Sequence, residues 1–351
     1  MTRTTLRRVH LWMALVLGLP LAVVSATGLP VTYWWASDAL FAPAYYAGSR
    51  PDAPRATFDA LAAAAQVAVP AGRLTRVYLL PDYGTAQAAL TVPGDTEREV
   101  SLELATAQPL GQRLLKDATI SWLYSVHTRL GLDRLGHDDL GRVAVMALAA
   151  AFVALVATGL WLWWPAQVSW RTFAPTLRRH RAWLDLHNKA GLYALVPLSL
   201  AAGTALLLET PGLRGLGGHP PPPMPGSAGP AARGASLETI ARAAAAATPG
   251  RPALGVFDLD QPSRVVVASG TESSGYRWIV VDRRSAAIEL VSDDRPISGS
   301  PSPDPSFLIA LHQGHRWGAI GQAVFAAASV VPVLLYITGL VLLVSRKRRG
   351  R

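Results

Sequence analysis

The chain has 351 residues, half of them hydrophobic and only 16% charged, with a formal net charge of +10 and no cysteine. A soluble domain carries about 25% charged residues, so the balance is that of a membrane protein with roughly two hundred residues left over for aqueous domains. Without cysteine there is no disulfide, thiolate metal site, iron–sulfur cluster or covalently attached haem. The basic charge flanks apolar segments and so records membrane orientation, not nucleic-acid binding.

In chain order, Arg3, Arg7 and Arg8 precede a first apolar segment, His10 to Trp34. A signal peptide is the rival reading, with small residues near Ser25 and Ala26, but the apolar run exceeds the usual h-region of about 7–15 residues. An outer region follows. It is expected to form a helix over Thr57 to Val69 and strands over Leu74 to Leu80, Ala86 to Val92 and Glu99 to Leu104, with turn chemistry at Pro81-Asp82-Tyr83-Gly84 and Pro93-Gly94-Asp95. Ile120 to Leu132 reads as an amphipathic interfacial stretch. The second apolar segment is Arg142 to Trp164, closed by an aromatic belt of Trp161, Trp163 and Trp164.

A basic connection with Arg171, Arg178, Arg179 and Arg181 leads to the third segment, His187 to Leu208. A second outer region repeats the plan of the first: a helix over Leu237 to Ala247, then strands over Ala253 to Asp258, Ser263 to Ala268, Tyr276 to Asp282 and Ala287 to Leu290. Its Pro/Gly-rich stretch, 212–233, and the run 293–304 read as unstructured, and His219 as a solvated loop histidine. The fourth segment is Gln322 to Val344, followed by a tail holding Arg346, Lys347, Arg348, Arg349 and Arg351. Prolines within the segments (Pro20, Pro197, Pro332) are expected to be tolerated by neighbouring helices.

Each segment is long enough for a hydrocarbon core of about 30 Å. The fold class expected is an α-helical membrane protein: a four-transmembrane-helix bundle built as an internal repeat, with two small α+β extracytoplasmic domains. The boundaries are 1–35 for the first helix, 36–117 for the first outer domain and 118–165 for the interfacial helix and second helix. Then come 166–186 for the basic loop, 187–208 for the third helix and 209–306 for the second outer domain with its Pro-rich linker. The fourth helix with its interfacial segment takes 307–345, and the basic tail 346–351. All basic connections fall on one side, the cytoplasm by the positive-inside rule, so both termini are expected there.

Four of the eight histidines hold matching places in the repeat. His10 and His187 open spans at the inner face, while Val126-His127 and Leu311-His312 precede spans at the outer face. Thr158-Gly159-Leu160 and Thr338-Gly339-Leu340 close the second and fourth spans, Thr27-Gly28-Leu29 the first, and Gly203-Thr204 stands in that place in the third. Ionisable groups at membrane depth are costly and mark function. Histidines without cysteine in a helical bundle point to an imidazole-ligated cofactor, with haem iron as the leading case. The expected pairs are His10 with His187 and His127 with His312. A ligating histidine needs its second ring nitrogen oriented by a partner, and the sequence names none. Arg8, Arg129 and Arg316 are candidate propionate partners, His137 and His315 spare outer ligands, and His180 part of the basic loop. The outer regions carry no catalytic constellation.

These residues resemble a known family. Arg7-Arg8-Val9-His10-Leu11-Trp12, Thr158 through Pro165, Asp185-Leu186-His187-Asn188 with Gly191, and Leu311-His312 are similar to the PepSY-associated transmembrane proteins, iron-regulated inner-membrane proteins related to siderophore-iron reductases. The resemblance implies PepSY-like outer domains in the periplasm of a bacterial inner-membrane protein and one or two haem b held by His10, His127, His187 and His312. It also implies an oxidoreductase reducing ferric siderophore iron. No nucleotide-binding fingerprint is present, so electrons are expected from a cytoplasmic reductase or membrane quinol. Two rival readings remain at this stage. In one, PepSY domains are sensory or regulatory modules on inert anchors. In the other, the internal repeat belongs to a transporter, though the spans carry no internal carboxylate.

Overall fold

The computed structural model describes residues 2–48, 54–94, 96–164, 174, 178, 181–210, 234–271, 275–292 and 306–349. His180, His219, the 212–233 stretch, the 293–304 run and most of the basic 166–186 loop lie outside them. The chain divides into two compact units, residues 1–33, 123–213 and 308–351 in one and 34–122 with 214–307 in the other.

The first unit is helical. Helix α1 (Arg3–Thr32) starts at the N-cap Thr2, whose hydroxyl accepts from the Thr5 N–H. Trp12, Val16, Leu19 and Val23 stand exposed along it. Their spacing of four, three and four residues makes one continuous apolar stripe turned away from the protein, as a lipid-facing helix requires. Two further helical segments are long and apolar enough to cross a membrane, Asp138–Trp163 and His315–Ser345. A fourth qualifies if Ala182–Tyr193 and Leu195–Glu209, bent by 57°, count as one span.

Two of the expected spans are each built from two helices. Helix α6 (Ala182–Tyr193) gives way to α7 (Leu195–Glu209) around Ala194, and α10 (Gly318–Ser329) to α11 (Val331–Arg349) around Val330. Each break precedes a proline, Pro197 or Pro332. A proline ring clashes with the carbonyl four residues earlier, and the ring has no N–H to donate. Those carbonyls belong to Tyr193 and Ala328, which places the two discontinuities. Helix α1 packs against α5 (Asp138–Trp163) and α11, α5 against α7, and α6 against α11. The short helices α4 (Thr119–Arg129) and α9 (Ser306–His312) carry His127 and His312.

The second unit holds helices α2 (Trp34–Phe41), α3 (Phe58–Ala68) and α8 (Leu237–Ala247) and eight antiparallel strands. The strands are β1 (Arg73–Leu80), β2 (Thr85–Val92), β3 (Thr96–Glu103), β4 (Pro109–Leu114), β5 (Ala253–Phe257), β6 (Arg264–Thr271), β7 (Gly275–Asp282) and β8 (Ile288–Ser292). The expected elements appear, with β4 in addition. However, the two halves are not separate sheets. They form one sheet in the order β4-β3-β2-β1-β5-β6-β7-β8. It is joined where Arg76, Val77 and Tyr78 pair with Phe257, Val256 and Gly255.

One face of this sheet and both helices share a core. Phe58, Leu61 and Ala65 from α3 and Ile240, Ala241 and Ala244 from α8 lie over Val77, Leu90, Val100, Val256, Val267 and Ile279. The two helix N-termini cap one another. The Asp59 carboxylate accepts from the Leu237 and Glu238 N–H groups (2.9 and 3.0 Å), and the Glu238 carboxylate accepts from the Phe58 N–H at 3.1 Å and from Arg55. Each acid sits two residues after its own N-cap, Thr57 or Ser236, and neutralises the partner's dipole.

The opposite face of the first half is covered by residues 34–46. Trp35 stacks on Tyr78 at 5.4 Å, and Tyr78 meets Tyr276 hydroxyl to hydroxyl at 2.8 Å across the seam. Asp38 and Glu99, both buried, are bridged by Arg113, which bonds Glu99 at 2.8 Å and clasps Asp38 through both terminal nitrogens. Burial pushes the Glu99 carboxyl up, while Arg76 and Arg113 draw it back.

Candidate functional site

The four sequence-singled histidines all lie in the helical unit, and they fall into the two expected pairs. His10 on α1 and His187 on α6 line one cleft of about 940 Å³, including its open mouth, walled by apolar residues such as Leu155, Val156, Leu195 and Leu335. His127 and His312 stand with ring centroids 6.0 Å apart and planes inclined by 66°. From His10 to Thr27, which adjoins His127, α1 rises roughly 25 Å at about 1.5 Å per residue, so the pairs sit at opposite ends of the helix.

Each histidine is restrained in the same way. His10 Nδ1 lies 2.8 Å from Thr158 Oγ1, and His187 Nδ1 lies 2.8 Å from Thr338 Oγ1. A hydroxyl has one proton. Thr158 gives its proton to the Ala154 carbonyl at 2.8 Å and Thr338 gives its proton to Leu334 at 2.8 Å, the usual back-bond of a helical threonine. Both hydroxyls must therefore accept, and both imidazoles must carry their proton on Nδ1. His127 Nδ1 donates to the Val24 carbonyl at 2.7 Å, with Thr27 Oγ1 at 3.4 Å. His312 Nδ1 donates to the Ala201 carbonyl at 2.9 Å, with Thr204 Oγ1 at 3.1 Å. In all four rings Nδ1–H is committed and Nε2 holds a lone pair, the state that ligates a metal with its outer-shell partner in place.

At two of the three Thr-Gly pairs the glycine has a steric reason, whereas at Gly339 an added Cβ would lie an ordinary 3.9 Å from His187 Cε1. A Cβ at Gly159 would meet His10 Cε1 at 3.2 Å, and one at Gly28 would meet His127 Cε1 at 3.2 Å. At these two sites the adjacent glycine makes room for the ring beside the threonine. In the third span the correspondence is Thr204 with Thr27, because each back-bonds its own helix three and four residues earlier and the i−3 carbonyl takes the histidine proton. Gly203 is not part of the device, and its Cβ would meet nothing within 4 Å. These threonines and the Val24 and Ala201 carbonyls are the functional groups that sequence reasoning missed. The repeated Thr-Gly was the available signal for the former, and nothing marks the latter.

The remaining candidates are placed differently. Arg129 is held by Glu209 at 3.0 Å and Asp138 at 2.9 Å, so its charge is already matched. Arg8, Arg316 and His137 are exposed, and His315 lies on the turn His315–Trp317 beyond α9.

The donor set fits a planar macrocyclic metal. His127 and His312 would hold such a group through their free Nε2 atoms, their ring centres standing 6.0 Å apart. Among the described residues no group of three or more His, Asp or Glu is placed to hold a bare metal ion.

Residues 7–349 match the family model described as the PepSY-associated TM region. Comparison with curated proteins gives no match. The chain therefore belongs to the PepSY-associated transmembrane family.

Proposed function

We propose that this family member holds haem b at its histidine pairs, His10 with His187 and His127 with His312, and carries electrons across a bacterial inner membrane to ferric siderophore iron on the periplasmic side. The observation that carries the reading is the common state of the four imidazoles: Nδ1–H tethered to a helix acceptor, Nε2 left as a ligand. A membrane anchor has no use for four such rings, which argues against a purely sensory role, and a transporter would need polar groups along its path.

Bound haem would supply one-electron redox chemistry at each end of the bundle. The chain's own residues do the rest. The tethers fix ring orientation and tautomer, and the apolar walls of the cleft, Leu155, Val156, Leu195 and Leu335 among them, keep water from the His10/His187 pair. Each ferric ion takes one electron, from a quinol or a cytoplasmic reductase, and becomes the ferrous ion that hard oxygen donors hold less tightly. Both large loops then face the periplasm and the basic connections the cytoplasm.

The test is the visible spectrum of detergent-purified protein, oxidised and dithionite-reduced, with a pyridine haemochrome count. Two haems per chain, one lost in His10→Ala and the other in His127→Ala, is the expected result. A colourless protein from haem-replete cells overturns the reading and leaves the sensory role.

A further inference from the structure

The two pairs receive the same restraint from chemically different acceptors, and the difference has a consequence. At His10 and His187 the acceptor at 2.8 Å is a side-chain hydroxyl, itself polarised by donating to a helix carbonyl. At His127 the nearest acceptor is the Val24 backbone carbonyl at 2.7 Å, with the Thr27 hydroxyl at 3.4 Å. At His312 the Ala201 carbonyl at 2.9 Å and the Thr204 hydroxyl at 3.1 Å share the proton. An acceptor on Nδ1–H raises the basicity of Nε2 and stabilises the higher oxidation state of whatever Nε2 ligates.

We propose that Thr158 and Thr338 are positioning residues that set the tautomer of His10 and His187 and, through it, the redox potential of the group they hold, whereas at His127 and His312 a main-chain carbonyl lies nearer than the threonine hydroxyl and keeps the tautomer without it. This rests on the haem reading. Its specific content is that the pairs are unequally tunable: one loses its closest acceptor on a threonine substitution, and the other keeps a main-chain carbonyl as its closest acceptor.

Valine replaces threonine with almost the same shape and no acceptor, so Thr158→Val and Thr338→Val remove the hydrogen bond with little change in helix packing. The experiment is a potentiometric titration of the reduced α-band in the full-length protein, with haem counted in parallel. His127→Ala assigns which midpoint belongs to which pair. The expected result is an upward shift of the His10/His187 midpoint in both valine variants and weaker haem retention there, by about 10- to 100-fold. The His127/His312 midpoint stays unmoved and serves as an internal control for folding. Thr158→Ser and Thr338→Ser restore the original midpoint, and Thr27→Val leaves both midpoints in place.

Failure of the haem reading shows as a wild-type protein without haem. The inference itself is overturned if wild type carries haem and the valine variants leave both midpoints unchanged, or move both together. It is equally overturned if serine fails to restore what valine changes, or if the only haem is lost in His127→Ala and kept in His10→Ala.

Discussion

Replacing Arg113 by methionine isolates the strongest electrostatic commitment in the sheet unit. The Asp38 and Glu99 side chains are 1% and 2% exposed, and Arg113 reaches both while its cation lies 4.3 Å from the Tyr45 ring centre. An exposed ion pair is worth about 0–1 kcal/mol, and the cation–π contact about 0.5–2 kcal/mol. Stranding buried carboxylates is the larger effect, at about 3–5 kcal/mol. Arg76, 3.7 Å from Glu99, compensates only that acid. For a unit of this size the loss lowers the melting temperature by roughly 6–20 °C.

The sign with pH is fixed as well. Burial raises the Glu99 carboxyl even with Arg113 present, and removing the cation raises it further. The folded variant then binds more protons than the unfolded chain, so its stability falls as pH rises. Tryptophan-fluorescence melts of the full-length protein at pH 5 and pH 8 read this directly. The deficit should be larger at pH 8, and adding Asp38→Asn with Glu99→Gln should recover much of it. A variant melting within a degree or two of wild type at both pH values refutes the reasoning.

Other outcomes follow from the same geometry. Asp59→Ala leaves the Leu237 and Glu238 N–H groups uncapped and should cost about 1–2 kcal/mol in chemical denaturation. Partial burial would raise the Glu238 carboxyl, but the Arg55 hydrogen bond and the Phe58 N–H hold it below the usual carboxylate range. Its stabilisation is therefore present above the unfolded value of about 4.3 and lost as pH falls through the depressed folded value, a step that Glu238→Gln should abolish in acid melts. Gly159→Ala brings a methyl to 3.2 Å from His10 Cε1, against a comfortable carbon separation of about 3.5–4.0 Å. On the proposed haem reading it should lower haem occupancy at that pair partly and Gly159→Leu fully, with the other pair unaffected in the haemochrome count. Pro197→Ala lets α7 run back into α6, so spin labels on the two helices should report a straighter span by pulsed EPR distances.

Much of this was legible because local chemistry wrote it. Alternating strands, the N-cap serine and threonine, the apolar spans and the histidines each leave a signal in their own segment. Strand β4 did not, because Pro109 and Gly111 give it turn chemistry, and only pairing with β3 holds it extended. The single sheet was hidden for a related reason. Nothing in Arg76-Val77-Tyr78 says that its edge meets Gly255-Val256-Phe257 instead of water. Pro197 and Pro332 were visible as residues, yet whether neighbours absorb a proline or the helix bends is decided by packing. At the histidines, the residue types could be read and the acceptors could not: two are threonines conspicuous only through repetition, and two are main-chain oxygens, which every residue has.

The three-residue seam between β1 and β5 also sets a timetable for biosynthesis. Arg76 and its partner Phe257 are 181 residues apart (257 − 76), so at about 5–20 residues per second the ribosome needs roughly 10–35 s to deliver the second strand after the first. Through that interval β1 waits as an open strand edge beside a half-built core, the kind of surface that recruits chance partners. The nascent chain passes through a stage in which a chaperone or a neighbouring copy competes for the place that its own later half will take.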